Sequence, residues 1–458
     1  MQFNMAVNPV REQNSLTVIN RGLMQLSNIL CCRQESMACS NGVKRIFLFS
    51  ALISLILILS ASAYGGGLSP EDKLFIVGAG AYEDKLWDVA ALAFSRLLAE
   101  YPASKKAEEV THLLGVCHTQ MKEYQLAIKV FTGFLEKYPK SSMLQIVLIR
   151  LGEVYLKSDN QNEAVKIFQL ISSSRDIDKN ADAAIFTLGE TYVKMGKYKE
   201  AVEEFRNFPQ RFPESKFKNE SYYWAGEAIF NLENYKEAKN YYKKFYDLMP
   251  EHPLSDDALN GVAWCEYKSG ALKPSLAAFN MLISKYPDSE LIPAALFRTG
   301  NINLKLSKSN DALKAFQKLV EKYPKDRIAI DAHLELGKLY TQKKEYSKAS
   351  PHFIKAQESE IIEMKTEASY YLGESEAARE KYNDAIAAYE RIINYGISDM
   401  SWVSLAYVKI GVNKERLKLW DDARASYQMA LEILEDKDLK TFAEGRLKVL
   451  KAREAGKN

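Results

Sequence analysis

A glycine returns every 37 residues through most of this 458-residue chain. Gly78, Gly115, Gly152, Gly189 and Gly226 keep that spacing without error, Ala263 takes the sixth place, and Gly300, Gly337, Gly373 and Gly411 follow with two one-residue slips. Twelve residues after each stands a small side chain: Ala90, Ala127, Ala164, Ala201, Ala238, Ser275, Ala312, Ala349, Ala385 and Ala423. Four residues further on comes an aromatic: Phe94, Phe131, Phe168, Phe205, Tyr242, Phe279, Phe316, Phe353, Tyr389 and Tyr427. Three columns in register over ten copies define a repeat protein, in which each unit buries its apolar face only by leaning on its neighbours.

Within a unit the apolar spacing is helical, as in Ile185, Leu188 and Tyr192, then Ala201, Phe205 and Phe208, with the polar Lys194-Met195-Gly196-Lys197 between. Each unit therefore predicts a helical hairpin. The glycine and alanine columns fit places where two helices approach closely, since a larger side chain there would overpack the contact at a cost of roughly 1–3 kcal/mol. The aromatic column fills the space beside them. Tyr101-Pro102, Tyr138-Pro139, Phe212-Pro213, Tyr286-Pro287 and Tyr323-Pro324 predict the end of the second helix, because proline pushes the residue before it out of helical backbone. Ser104, Ser141, Ser215 and Ser289, two residues on, are placed to cap the next helix. Pro209 is expected to interrupt and kink the second helix of the fourth unit. The third, eighth, ninth and tenth units lack the terminal proline.

These columns resemble the tetratricopeptide repeat family, whose small residues at repeat positions 8 and 20, aromatic at 24 and proline at 32 they match over residues 71–437. The resemblance implies an all-α, right-handed α-solenoid of about ten hairpins. The unit is three residues longer than the usual 34. Together with the Tyr-Pro-x-Ser ending and an export signal, it is similar to the bacterial envelope branch that includes the Tol-Pal-associated YbgF and the lipoprotein BamD. Ten repeats exceed either, and no lipidation cysteine follows the apolar run.

In that family the first helix of each hairpin lines the concave face, chiefly at positions 2, 5, 9 and 12. Carried onto this chain, position 5 gives Ile149, Phe186, Tyr223, Asn260 and Phe297, position 9 gives Glu153, Glu190, Glu227, Trp264 and Asn301, and position 12 adds Phe230 and Tyr267. An aromatic stripe beside a ladder of carboxylates would suit an extended or helical peptide with apolar anchors and basic residues. The expected peptide-binding face is therefore Phe186, Glu190, Tyr223, Glu227, Trp264, Phe297 and Asn301. Aromatics at helical spacing serve a core as readily as a groove, and the glutamates could equally be a solvated face. The clamp with which some cytosolic relatives hold an acidic C-terminal peptide is not implied, because Asn301 alone fits it, preceded by Phe297 and followed by Glu335.

Ahead of the repeats, Lys44-Arg45, the apolar run Ile46 to Leu59 and Ala61-Ser62-Ala63 have the form of an export signal cleaved after Ala63. Residues 1–36 read as an extension ahead of a start at Met37, 37–63 as the signal, 64–70 as a linker and 438–458 as a capping helix and tail. This predicts a periplasmic or secreted protein near a bacterial membrane, the alternative being an anchor kept uncleaved, although the run is short for a span of about 20 residues. Residues 64–458 carry 57 basic and 57 acidic side chains, so they offer no net charge with which to capture nucleic acid. Cys117 and Cys265 lie four repeats apart, which points to buried thiols rather than a disulfide. His112, His118, His252, His333 and His352 are scattered without metal-ligand spacing, and neither Gly65-Gly66-Gly67 nor Gly78-Ala79-Gly80 is a phosphate loop. The expectation is a non-enzymatic scaffold without cofactor or metal that binds protein or peptide partners.

Overall fold

The computed structural model describes residues 68–174, 181–433 and 435–455, and among them it is all-helical, with 21 helices and no strand. The segments read as extension, signal and most of the linker lie outside the described residues. Two compact units divide the chain, Met1–Asn160 and Gln161–Asn458. The first holds α1 (Pro70–Glu83), α2 (Trp87–Glu100), α3 (Ala107–Gln120), α4 (Tyr124–Lys137) and α5 (Leu144–Lys157). The second opens with α6 (Gln161–Ser172), α7 (Asp182–Lys194), α8 (Tyr198–Arg211), α9 (Glu220–Asn231), α10 (Tyr235–Leu248), α11 (Ser255–Lys268) and α12 (Leu272–Lys285). It continues through α13 (Ile292–Lys305), α14 (Ser309–Lys322), α15 (Arg327–Gln342), α16 (Tyr346–Ala356), α17 (Ile362–Ala378), α18 (Tyr382–Asn394), α19 (Met400–Arg416), α20 (Trp420–Ile433) and α21 (Lys437–Ala455). Within each unit every helix packs mainly on its neighbours in sequence, which is the hairpin solenoid that the repeat predicts.

The turn of all ten hairpins closes in one way. The seventh residue after the glycine column is left-handed throughout: Lys85, Lys122, Asp159, Gly196, Glu233, Gly270, Ser307, Lys344, Glu380 and Lys418 have φ between 59° and 77°. The next amide but one past the first helix reaches back five residues, as in Glu123 N to His118 O at 2.9 Å and Lys381 N to Glu376 O at 2.9 Å. This Schellman closure satisfies carbonyls that the helix end leaves open. Only two of the ten left-handed positions carry glycine, so composition alone does not announce the turn.

The second helix stops where Tyr-Pro predicts: α2, α4, α8, α12 and α14 end immediately before Tyr101, Tyr138, Phe212, Tyr286 and Tyr323. The serine beyond caps a turn ahead of the next helix, its Oγ accepting from the amide two residues on at 3.0–3.1 Å in Ser104, Ser141, Ser215 and Ser289. Three of these hydroxyls also donate to an acid in the first turn of the first helix of their own hairpin: Ser104 to Glu71 at 2.5 Å, Ser141 to Glu108 at 2.6 Å and Ser215 to Asp182 at 2.6 Å. Pro209 does not interrupt α8, which runs on to Arg211. It stands in the last turn, where the missing N–H costs one ladder bond.

The glycine column meets an aromatic ring rather than a neighbouring backbone. A Cβ added at Gly115 would lie 2.3 Å from Phe131, at Gly189 2.5 Å from Phe205, and at Gly300 2.3 Å from Phe316. Those rings are fully buried, as are the alanines of the small column from Ala90 to Ala423. In the sixth hairpin, where alanine and serine replace glycine and alanine, the buried Ser275 hydroxyl donates to Ala263 O at 2.9 Å. The cap α21 is buried along Ala443 and Leu450, against Val408 and Tyr427. Phe442 and Val449 on the same helix are exposed.

Candidate partner-binding face

First helices of successive hairpins touch one another directly: α1 and α3, α3 and α5, α7 and α9, α9 and α11, α13 and α15, α15 and α17, α17 and α19. Side chains of α11 and α13 meet too, Arg298 over Trp264 and Lys305 at Tyr267, so the first helices share an inner face in each unit. Adjacency on it follows a rule, in which position 9 of one hairpin meets positions 2 and 6 of the next. Lys338 Nζ lies 2.7 Å from Glu367 and 5.8 Å from the Tyr371 ring centroid. Lys409 lies 2.8 Å from Glu374. The Arg298 guanidinium lies 4.7 Å over the Trp264 ring. Position 6, which supplies Trp224, Arg298, Glu335, Tyr371 and Lys409, was missing from the sequence-derived face. The signal that would have found it is the run of charged and aromatic residues, Arg298, Glu335, Tyr371 and Lys409, two residues before the glycine column.

Two expected contact residues belong to the core. Phe186 is 4% exposed, stacked on Phe217 at 4.7 Å and edge-on to Phe205 at 5.5 Å and Phe208 at 5.6 Å. Tyr223 is 8% exposed, between Tyr242 at 5.9 Å and Phe245 at 5.6 Å. Position 5 is turned in toward the second helix wherever an aromatic fills it, so the expected aromatic stripe is reduced. Phe297 is half-buried and meets Phe316 at 5.6 Å. Trp264 is half-buried as well, edge-on to Tyr267 at 5.7 Å and Phe279 at 6.2 Å. Asn301 is half-buried on α13.

The carboxylate ladder divides by partner. Glu227 accepts the Tyr242 hydroxyl at 2.7 Å, a bond made where the aromatic column changes from Phe to Tyr. Tyr389 with Glu374 repeats it, and Tyr427 instead donates to Glu415, three positions further along the first helix. Glu190 has no such donor, because Phe205 stands in that column. Burial pushes its carboxyl up, the Glu220 charge adds to the shift, and Lys194 opposes it. Burial raises Asp257 too, with Asp256 and Glu227 contributing. The Glu190–Glu220 and Glu227–Asp257 pairs thus set like charges at places where Lys338–Glu367 sets opposite ones. The His252 ring, 3.4 Å from Glu220, is the basic group at hand.

Beyond Trp264 the cations on this face are already engaged: Lys305 donates to the Tyr267 hydroxyl at 2.6 Å and Lys338 bridges Glu335 and Glu367. The face is therefore predominantly acidic along α7, α9 and α11, with Lys194 and His252 the basic groups beside it, aromatic and cationic at α11 and α13, and self-paired from α15 on. Cys117 and Cys265 are free and buried, and burial pushes each thiol up to about 12. Among the described residues no group of three or more His, Cys, Asp or Glu could hold a metal ion, and no helix is long and apolar enough to cross a membrane.

Comparison with known proteins agrees with the repeat. The family YfiO, outer membrane lipoprotein, matches residues 178–309, and tetratricopeptide repeat families match residues 112–141, 294–326 and 334–399. No curated protein matches the sequence. Among solved structures, the C-terminal part of a TPR repeat-containing protein from Cytophaga hutchinsonii is 16% identical with a TM-score of 0.45, covering 56% of this chain and 98% of its own. A tetratricopeptide repeat protein from Parabacteroides merdae is 17% identical with a TM-score of 0.36, covering 59% and 99%. YrrB, described as a TPR protein with an unusual peptide-binding site, is 20% identical with a TM-score of 0.35, covering 44% and 96%. With its glycine, alanine and aromatic columns folded into hairpins, the chain carries tetratricopeptide repeats, which the repeat families match at residues 112–141, 294–326 and 334–399.

Proposed function

We propose that this protein is a non-enzymatic scaffold of the bacterial cell envelope, which holds a basic segment of a partner protein along the first helices α7, α9, α11 and α13. The observation that carries the binding reading is that Glu220 acts on Glu190 and Glu227 on Asp257 as like-charged neighbours, on a face that neutralises itself elsewhere. Carboxylates such as Glu190 and Asp257, pushed up by burial and by an acidic neighbour, gain most from an incoming cation, and Lys or Arg side chains of an extended or helical peptide supply it at the right spacing. Trp264 follows on the same face and offers an apolar anchor. An outer membrane lipoprotein family matching residues 178–309 supports the envelope assignment, as does the signal pattern ahead of Tyr64. The machinery served is one that assembles outer-membrane proteins, builds peptidoglycan or exports polysaccharide.

A photocrosslinking residue at Asn260, on the inner face, should capture the partner in cells, whereas one at the exposed Asn240 on α10 should not. Capture from Asn240 alone would place the partner on the second helices and overturn the proposal. Glu190→Lys combined with Asp257→Lys should abolish capture from Asn260. N-terminal sequencing tests the location: a mature chain beginning near Tyr64 supports a periplasmic or secreted scaffold. One retaining Ile46 to Leu59 would make it an adaptor anchored in the inner membrane.

A further inference from the structure

In the hairpin of α15 and α16 two histidines meet ring to ring. His333 Nδ1 and His352 Nδ1 are 2.8 Å apart, their centroids 5.0 Å, and the Tyr340 ring lies against His352 at 5.5 Å with 9° between the planes. At the matching places α13 and α14 carry Leu296 and Ala315, and α11 and α12 carry Leu259 and Ala278, all buried. The histidine pair thus replaces an apolar contact that the same fold makes without it. Tyr340 in turn accepts from Gln317 of α14 at 2.8 Å, so the pair sits behind the contact that joins this hairpin to the preceding one.

We propose that the His333–His352 contact is a proton-operated latch, closed while the pair holds at most one extra proton and opened by the second, which frees the α15/α16 hairpin from its neighbours. The contact requires one ring to donate its Nδ1–H and the other to accept at a bare Nδ1. A first added proton can go to Nε2 of the donor and leave the bond intact. The second must take the accepting Nδ1, which sets two N–H groups and two positive charges face to face.

Burial lowers both rings below the ordinary histidine range, His352 to about 4 with the neighbouring His333 contributing. Of the other charged groups that act on the pair, Lys355 lowers His333 and Glu358 raises it. These two are ion-paired with each other at 2.9 Å, so their effects largely cancel. Lys348 lies 5.7 Å from the Tyr340 centroid on the same hairpin and is paired with Glu345. A histidine lowered on folding stabilises the fold above about pH 6.5, and that stability is lost as pH falls toward 4.

The test compares the full chain with the double variant His333→Leu/His352→Ala, which installs the pair that the neighbouring hairpins carry. Amide exchange, corrected for its intrinsic pH dependence, is read in α15/α16 and in α11/α12 at pH 7.5 and pH 4. The native chain should lose at least tenfold more protection in α15/α16 than in α11/α12 on acidification, and the variant should lose it equally in both. Equal loss in native chain and variant would overturn the latch. Because the variant could fold poorly, NMR titration of the native imidazoles gives a second reading: both rings titrating near 6.5 would overturn it, and a pair titrating in two steps, the second well below 6, would support it.

Discussion

The Tyr242 ring is held between two glycines from consecutive hairpins. A Cβ added at Gly226 would lie 2.9 Å from its one edge, and a Cβ added at Gly261 would lie 2.8 Å from the opposite edge. Gly226 belongs to the glycine column, but Gly261 stands two residues ahead of the place where Ala263 breaks it. Gly261→Ala should therefore lower stability by about 1–3 kcal/mol, as overpacking of a buried ring does, although no periodic signal marks that glycine. Thermal unfolding equal to that of the native chain would show that α11 can move away from the ring at no cost.

Glycines elsewhere answer the same substitution with different signs. Gly133 lies within α4 with nothing within 4 Å of an added Cβ, so Gly133→Ala should stabilise by about 0.5–1 kcal/mol through helix propensity. Gly115→Ala in the adjacent helix should destabilise, because its Cβ would fall 2.3 Å from the buried Phe131. Gly196 has φ 71°, and Gly196→Ala should cost about 1 kcal/mol although the space around it is open. Denaturant midpoints of the three variants check the order, and a Gly115→Ala as stable as Gly133→Ala would contradict the ring contact.

The fold was legible because its determinants are local and repeated: eight glycines of the column meet the aromatic 16 residues on, as Gly78 meets Phe94 and Gly411 meets Tyr427. The turns were not legible in the same way, because the left-handed residue is Lys, Glu, Asp or Ser in eight of ten hairpins. Hydrogen bonds across the bend, and not side-chain type, fix its conformation. The binding face was legible in part. Helical spacing puts Phe186 and Glu190 on one helix, but it cannot say which of them faces Phe217 and which faces the next hairpin. Position 6 escaped because its partner, as in Arg298 over Trp264, lies 34 residues away in sequence.

The small column supports a plainer test. Ala238 is fully buried in α10, and Ala238→Leu should overpack the hairpin by about 1–3 kcal/mol and loosen its neighbours, since each hairpin rests on adjacent ones. Calorimetry should show a lower melting temperature. An unchanged one would count against the packing of α9 on α10.

Glu190 carries a pH signature of opposite sign to the histidine pair. Its folded-state pKa is raised, so the folded chain binds the proton more tightly than the unfolded chain and stability falls as pH rises through that range. Glu190→Gln should therefore stabilise the protein at pH 7, and the gain should disappear near pH 4, where the native carboxyl is itself protonated. A variant less stable than the native chain at pH 7 would mean that Glu190 is paired in solution and that this part of the face is not free for a basic partner.

Trp264 separates the role of packing from the role of recognition. Its ring is half-buried, one face under the Arg298 guanidinium at 4.7 Å and its edge toward Phe279 at 6.2 Å, so truncation removes less buried surface than at a core tryptophan, where it costs about 3–5 kcal/mol. Trp264→Ala should lower stability by about 2 kcal/mol and leave Arg298 without the ring that positions it. If the ring anchors the partner, affinity should also fall by about 2 kcal/mol, roughly thirtyfold. Arg298→Ala distinguishes the two effects, because it uncovers the indole face without removing it. Tighter partner binding by that variant would mean that the partner competes with Arg298 for the ring. Full affinity in a destabilised Trp264→Ala would make the tryptophan a packing residue and confine recognition to the acidic stretch from Glu190 to Asp257.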